Sequence, residues 1–200
     1  MVTKAITATT IGINAHLIEV EVDVVNSLPN ISIVGLPDNA VNEARERVHS
    51  AIKNSGFSFP LGRVIVNLAP ADIRKEGTNF DLPIAIGILK EQGINIPDDS
   101  HTAFLGELSL DGSLRRINGV LPLVTGLKEH GIKTVFVPVE NAKEAALAQD
   151  INVFGAKHLG DIVAHYADTP IEKTVVDINK YLEENAFTDY TFDFKDVKGQ

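Results

Sequence analysis

Cysteine is absent from the 200 residues, which excludes a disulfide framework, a thiolate zinc site and a cysteine nucleophile together. A reducing compartment accommodates such a chain. No apolar run approaches the roughly 18 residues of a membrane span, and the alternating opening from Met1 to Thr10 lacks the apolar core of a signal peptide. Cytoplasmic residence without a membrane partner is the expectation. Positive charge is also scarce, with 18 Lys and Arg against 27 Asp and Glu and a formal net charge of -9. Phosphate contacts need clustered cations, so this balance argues against a domain that grips nucleic acid by its own surface. The nearest thing to a basic patch is Arg45, Arg47, Lys53, Arg63, Arg74 and Lys75, whose convergence depends on the fold. There is no Gly-x-x-x-x-Gly-Lys-Ser/Thr loop and no Gly-x-Gly-x-x-Gly after a strand, so the chain by itself should not hydrolyse ATP. The histidines, His16, His49, His101, His130, His158 and His165, show no spacing that suggests a metal site.

A chain of this length buries roughly 70% of the surface it exposes when unfolded, enough for one substantial core. Alternation over 3–11 and 15–25, with Ile18, Val20, Val22 and Val24 on one face, predicts two paired strands joined near Gly12. Ile31 to Val34 follows as a third strand, so the fold is expected to open on an antiparallel sheet. Pro37-Asp38 suits a helix start. The spacing of Val41, Ala44, Val48, Ala51 and Ile52 carries that helix to Asn54, with Gly56 as its left-handed cap.

Arg63 to Leu68 reads as a strand, and beyond Asn79 a helix is apolar nearly all round, with Thr78 or Asn79 as its cap. Thr102 to Leu108 and Ser113 to Ile117 predict a hairpin turning at Asp111-Gly112. A helix to about His130, a strand from Lys133, a helix over 140–148, a strand over 151–154 and a helix over 159–167 then alternate, which implies parallel pairing. The fold class is α/β with a mixed sheet. From Thr169 the character changes to a helix ending near Asn185 and an aromatic tail, Phe187, Tyr190, Phe192 and Phe194, expected to be a linker into a further domain.

The stretch from Asn67 to Leu89 joins a buried strand to a buried helix through a charged loop, the kind of place where function sits. Asp72, Arg74, Lys75, Glu76 and Asp81 bracket it. They could bind a phosphate, present a contact face or form a proton-transfer pair; a solvated loop with a helix cap is the plainer reading. Arg115 and Arg116 after the hairpin turn could likewise face an anionic partner, although exposed hairpin arginines are ordinary.

Three blocks in order carry a family resemblance: Lys75-Glu-Gly-Thr-Asn-Phe-Asp-Leu-Pro-Ile-Ala85, Gly106-Glu-Leu-Ser-Leu-Asp-Gly112 and Gly131-Ile-Lys-Thr-Val-Phe-Val-Pro-Val-Glu-Asn141. Together they resemble the N-terminal domain of ComM/YifB-type proteins, the magnesium-chelatase-related AAA+ ATPases. That domain is similar to the Lon proteolytic domain and has the ribosomal protein S5 domain 2-like fold. The resemblance covers 1–168, and 169–200 resembles a linker and entry into an AAA+ module. Where Lon-type proteases carry a nucleophilic serine this chain has Asn79, and Leu121 stands at the position of the partner lysine. An amide and an alkyl group supply neither nucleophile nor base.

The resemblance implies an accessory domain without catalysis of its own in a ring-forming motor. ATP and Mg2+ would be held by an AAA+ module outside this chain, neighbouring subunits would form a homohexamer, and DNA would be handled by the full-length protein in branch migration, recombination or natural transformation. A degenerate Lon-like Ser/Lys peptidase and a magnesium chelatase subunit are the alternatives. Arg74, Lys75, Glu76, Asp81, Arg115 and Arg116 are the candidates for a contact surface.

Overall fold

A computed structural model describes residues 1–186 of the chain. Strands β1 (Thr3–Ile11) and β2 (Asn14–Val25) form the predicted hairpin, in register from Thr3 opposite Val22 to Ile11 opposite Asn14. The alternation in β2 has its expected meaning, since Ile18, Val20 and Val22 are fully buried.

Strand β3 (Asn30–Val34) departs from the antiparallel expectation. Helix α1 (Asn39–Asn54) carries the chain back before β4 (Arg63–Ala69) begins, so β3 runs parallel to β4 at the sheet edge, while β4 pairs antiparallel with β2. Adjacent strands can be parallel only across such a connection. Asp38 rather than Pro37 stands at the head of α1. Its carboxylate accepts the Val41 N–H as an N-cap, and Pro37 bridges to Lys75 instead. Gly56 is left-handed after this helix, as expected.

Helix α2 (Asp81–Glu91) is buried from Asp81 through Leu89. Neither Thr78 nor Asn79 caps it: the preceding residue is Phe80, with no side-chain capping bond, and the Asn79 amide reaches Ala8 O instead. The predicted hairpin is split. Strand β5 (Thr102–Phe104), buried throughout, joins the main sheet, leaving β6 (Glu107–Leu108) to pair with β7 (Leu114–Arg115). Helix α3 (Val120–Glu129), strand β8 (Thr134–Pro138), a short 3-10 turn (Val139–Asn141), helix α4 (Ala142–Ala146), strand β9 (Asn152–Ala156) and helix α5 (Leu159–His165) follow.

The result is a seven-stranded mixed sheet, ordered β3-β4-β2-β1-β5-β8-β9, with the last four strands parallel to one another. One core packs α1, α2 and α5 against one face, around Val20, Val66, Ile86 and Phe136. The other packs α3 and α4 on the opposite face, around Ile6, Leu105, Val124 and Val135. Each fully buried side chain of this size contributes about 1.5–3 kcal/mol. Close approach of α3 to β2 depends on Gly126, where a Cβ would fall 2.2 Å from that of Ala15.

Beyond α5, the Thr174 N–H donates to Val153 O at 2.8 Å and Lys173 bridges to Phe154, so this segment lies along β9 before a helix over 178–186. The aromatic tail with Phe187, Tyr190, Phe192 and Phe194 lies outside the described residues. Among those described, no helix is long and apolar enough to cross a membrane.

Candidate functional site

The loop between β4 and α2 is sewn to the start of α1. The Lys75 N–H donates to Leu36 O at 3.0 Å and the Asp38 N–H to Lys75 O at 2.9 Å. Asp38 also accepts the Gly77 N–H through its second carboxylate oxygen at 3.3 Å. Gly77 has a φ of 94°, which lets the loop turn toward α2 without strain.

Two of the loop's charged residues are interior, which removes them from the expected contact surface. Lys75 is fully buried and its Nζ donates to the carbonyl of Pro70. Burial pushes its pKa below the usual 10.5, with Asp72 opposing. Asp81, also fully buried, accepts from Arg47 Nε at 2.7 Å and Nη2 at 3.0 Å, and from the Leu108 N–H at 3.0 Å. Loss of water pushes its carboxyl pKa up, while the guanidinium and the amide N–H oppose that shift. Both side chains are committed to partners inside the fold.

Arg74 and Glu76 are exposed and paired at 3.2 Å. Arg115 donates to Ser109 Oγ at 2.6 Å and Arg116 lies 3.8 Å from Glu144. The scattered cations do not form one patch, since Arg47 pairs inward with Asp81 and Lys75 is buried. His158 caps α5 by accepting the Gly160 N–H at 3.0 Å. Among the described residues, no group of three or more His, Asp and Glu could hold a metal ion.

Asn79 and the start of α3 face one open groove of about 600 Å³, so the two separated sequence blocks do meet in space. Asn79 is only 7% exposed, and its Nδ2 donates to Ala8 O at 3.0 Å. That bond fixes the amide orientation, because a carbonyl can only accept. Asn118, Gly119, Pro122 and Leu123 line it as well, whereas half-buried Leu121 is not among the lining residues. Thr10 near the end of β1, Gly12 and Ile13 of the β1–β2 turn, and Asp38, Glu76 and Gly77 complete the lining. Thr10 carries the one hydroxyl among these lining residues, and no lysine, arginine or histidine accompanies it. As groove residues, Asp38, Asn118, Ile13 and Pro122 carry no signal in the sequence. Only the capping role of Asp38 had a local signal.

A family model described as subunit ChlI of Mg-chelatase matches residues 20–141, a span that includes Asn79 and the start of α3. The chain belongs to this family. Among its relatives, competence protein ComM of Haemophilus influenzae is 38% identical over 192 residues, which cover 94% of this chain and 37% of that protein. The uncharacterized protein YifB of Salmonella typhimurium is 36% identical over 200 residues, 97% of this chain and 37% of that one. The chain thus spans somewhat over a third of the length of these relatives. Lon protease 2 of Bacillus subtilis is 32% identical over 104 residues, covering 52% of this chain and 18% of the protease. The mixed sheet of this ChlI-family chain accords with that Lon likeness, as the sequence resemblance anticipated.

Proposed function

We propose that the chain is a non-catalytic accessory domain of a ComM-like AAA+ ATPase that acts on DNA in branch migration, recombination or natural transformation. The observation that carries this reading is the groove: Asn79 and the start of α3 line it together, its lining holds no lysine and no hydroxyl but that of Thr10, and an amide offers no nucleophile. Similarity to competence protein ComM over 94% of the chain supports the link to natural transformation in this reading. ATP and Mg2+ are then bound by a AAA+ module outside these residues, in a homohexamer whose subunits this domain contacts.

The test is a pair of full-length proteins, one intact and one lacking residues 1–168, assayed for ATP-driven branch migration of synthetic four-way DNA and for hydrolysis of unfolded casein. The reading expects ATP hydrolysis to persist in the truncated protein, branch migration to change, and casein to stay intact with both. Casein cleavage that vanished with the domain would favour the degenerate peptidase, for which the Lon protease similarity speaks. Stimulated metal insertion into a porphyrin by the full-length protein would favour the chelatase subunit, for which the family match speaks.

A further inference from the structure

The groove beside Asn79 has three properties that together describe a ligand. The first is an open strand edge. Strand β1 is flanked by β2 along its whole length, but on its other side β5 pairs only at Ile6, opposite Ala103. In an antiparallel pair, alternate residues direct both N–H and C=O away from the partner. The Ala8 carbonyl is one of these, because it receives Asn79 Nδ2 from the side away from β2. Thr10 has the same parity, is exposed and lines the groove, so its N–H and C=O project there.

The second property is an unused acceptor. Asn79 is more than nine-tenths buried and lines the groove; with Nδ2 committed to Ala8, its Oδ1 takes a hydrogen bond from none of the described residues. That oxygen is open to solvent, since Thr7 Oγ1 is the one buried side-chain N or O without a partner among the described residues, so a ligand N–H can take the place of water there. The third is charge. Asp38 and Glu76 line the groove, no cation does, and the chain carries a net charge of -9. Arg74 pairs with Glu76, but both are well exposed and such a pair is weak enough to exchange. Ile13, 93% exposed, and Pro122 and Leu123 add apolar walls.

We propose that this groove captures an extended, positively charged polypeptide segment of a partner protein by strand addition along the Thr10 edge of β1, and holds it uncleaved. The inference rests on the reading of the site as non-catalytic. Strand addition uses main-chain bonds for affinity and alternate side chains for specificity. Here the Thr10 backbone supplies the bonds, Asn79 Oδ1 accepts a further peptide N–H, and basic side chains meet Asp38 and Glu76. Nucleic acid fits poorly, since its phosphates would approach two carboxylates.

The experiment is fluorescence anisotropy on the 200-residue chain with three fluorescein-labelled probes: a peptide alternating valine and lysine, one alternating valine and glutamate, and single-stranded DNA. The basic peptide is expected to bind saturably, to weaken with salt and to be recovered intact by mass spectrometry. Glu76→Lys, at an exposed position, should weaken it about tenfold. Thr10→Pro, which removes an N–H that β2 does not use, should abolish binding where Thr10→Ala retains it, with circular dichroism melting curves to verify folding. No binding of the basic peptide, equal binding by Glu76→Lys and Thr10→Pro, or displacement of the peptide by DNA would overturn the capture. Cleavage of a peptide whose binding still depends on Thr10 and Glu76 would instead overturn the non-catalytic reading, and with it the claim that the segment is held intact.

Discussion

Arg47 on α1 grips both carboxylate oxygens of Asp81 at the first turn of α2, at 2.7 and 3.0 Å, and Asp81 in turn accepts the Leu108 N–H of β6. Three elements distant in sequence therefore meet on one buried carboxylate. Removing one partner of such a pair strands the other. Arg47→Ala is expected to lower the unfolding free energy by about 3–5 kcal/mol. The double substitution Arg47→Met with Asp81→Leu, which leaves no charge behind, should lose markedly less. Urea titration of the three proteins measures this.

Asn79→Ser restores a hydroxyl at the groove but no base. Hydrolysis of casein should stay at background, and stability should fall by about 1–3 kcal/mol because Ala8 O loses its donor. A fluorogenic peptidase assay beside a thermal melt reports both effects.

Lys75 carries a pKa depressed below 10.5 by burial. Between the folded value and 10.5 the unfolded chain binds more protons than the folded one, so this residue makes stability rise with pH across that window. Wild-type protein should therefore gain stability relative to Lys75→Met as pH climbs from neutral toward 10.5. Denaturant midpoints at several pH values for the two proteins check the slope difference.

His165 accepts the Ile171 N–H through Nδ1 at 2.9 Å, which requires an unprotonated nitrogen there. Its ring packs against Phe136, Phe154 and Tyr166, and burial holds its pKa below 6.5. A detached segment leaves the imidazole free to take up a proton at higher pH than the docked one does. Docking of residues 171–174 along β9 is thus fully present above 6.5 and weakens as pH falls through the depressed value. Hydrogen exchange at the Ile171 and Thr174 amides should accelerate on acidification more than exchange in β8, and His165→Phe should remove the dependence.

Gly126→Ala would set a methyl group 2.2 Å from Ala15 Cβ, forcing α3 away from β2. A loss of about 1–3 kcal/mol is expected from overpacking, read as a lowered midpoint in thermal unfolding.

Much of this fold was legible because it rests on local regularities. The period-two pattern of Ile18, Val20 and Val22 and the all-round apolar run from Leu82 to Leu89 both ended up buried as read. The errors share a cause. Asn79 looks like a helix cap by residue type, but its amide reaches Ala8, 71 residues earlier. Lys75 and Asp81 look like wet loop charges, yet Pro70 and Arg47 are positioned to receive them in the interior. Strand β3 looked antiparallel because its partner was decided by the crossover through α1 rather than by its own pattern.

By itself the sequence determined most of the elements, the mixed α/β class and the absence of a phosphate-binding loop motif. Residue types and their periods are sufficient for these. Only the tertiary structure decided which charges are buried, that Asn79 and the start of α3 share a groove, and that the Thr10 edge of β1 opens into it. Those facts depend on strand order and on contacts across many tens of residues, and no local pattern encodes them.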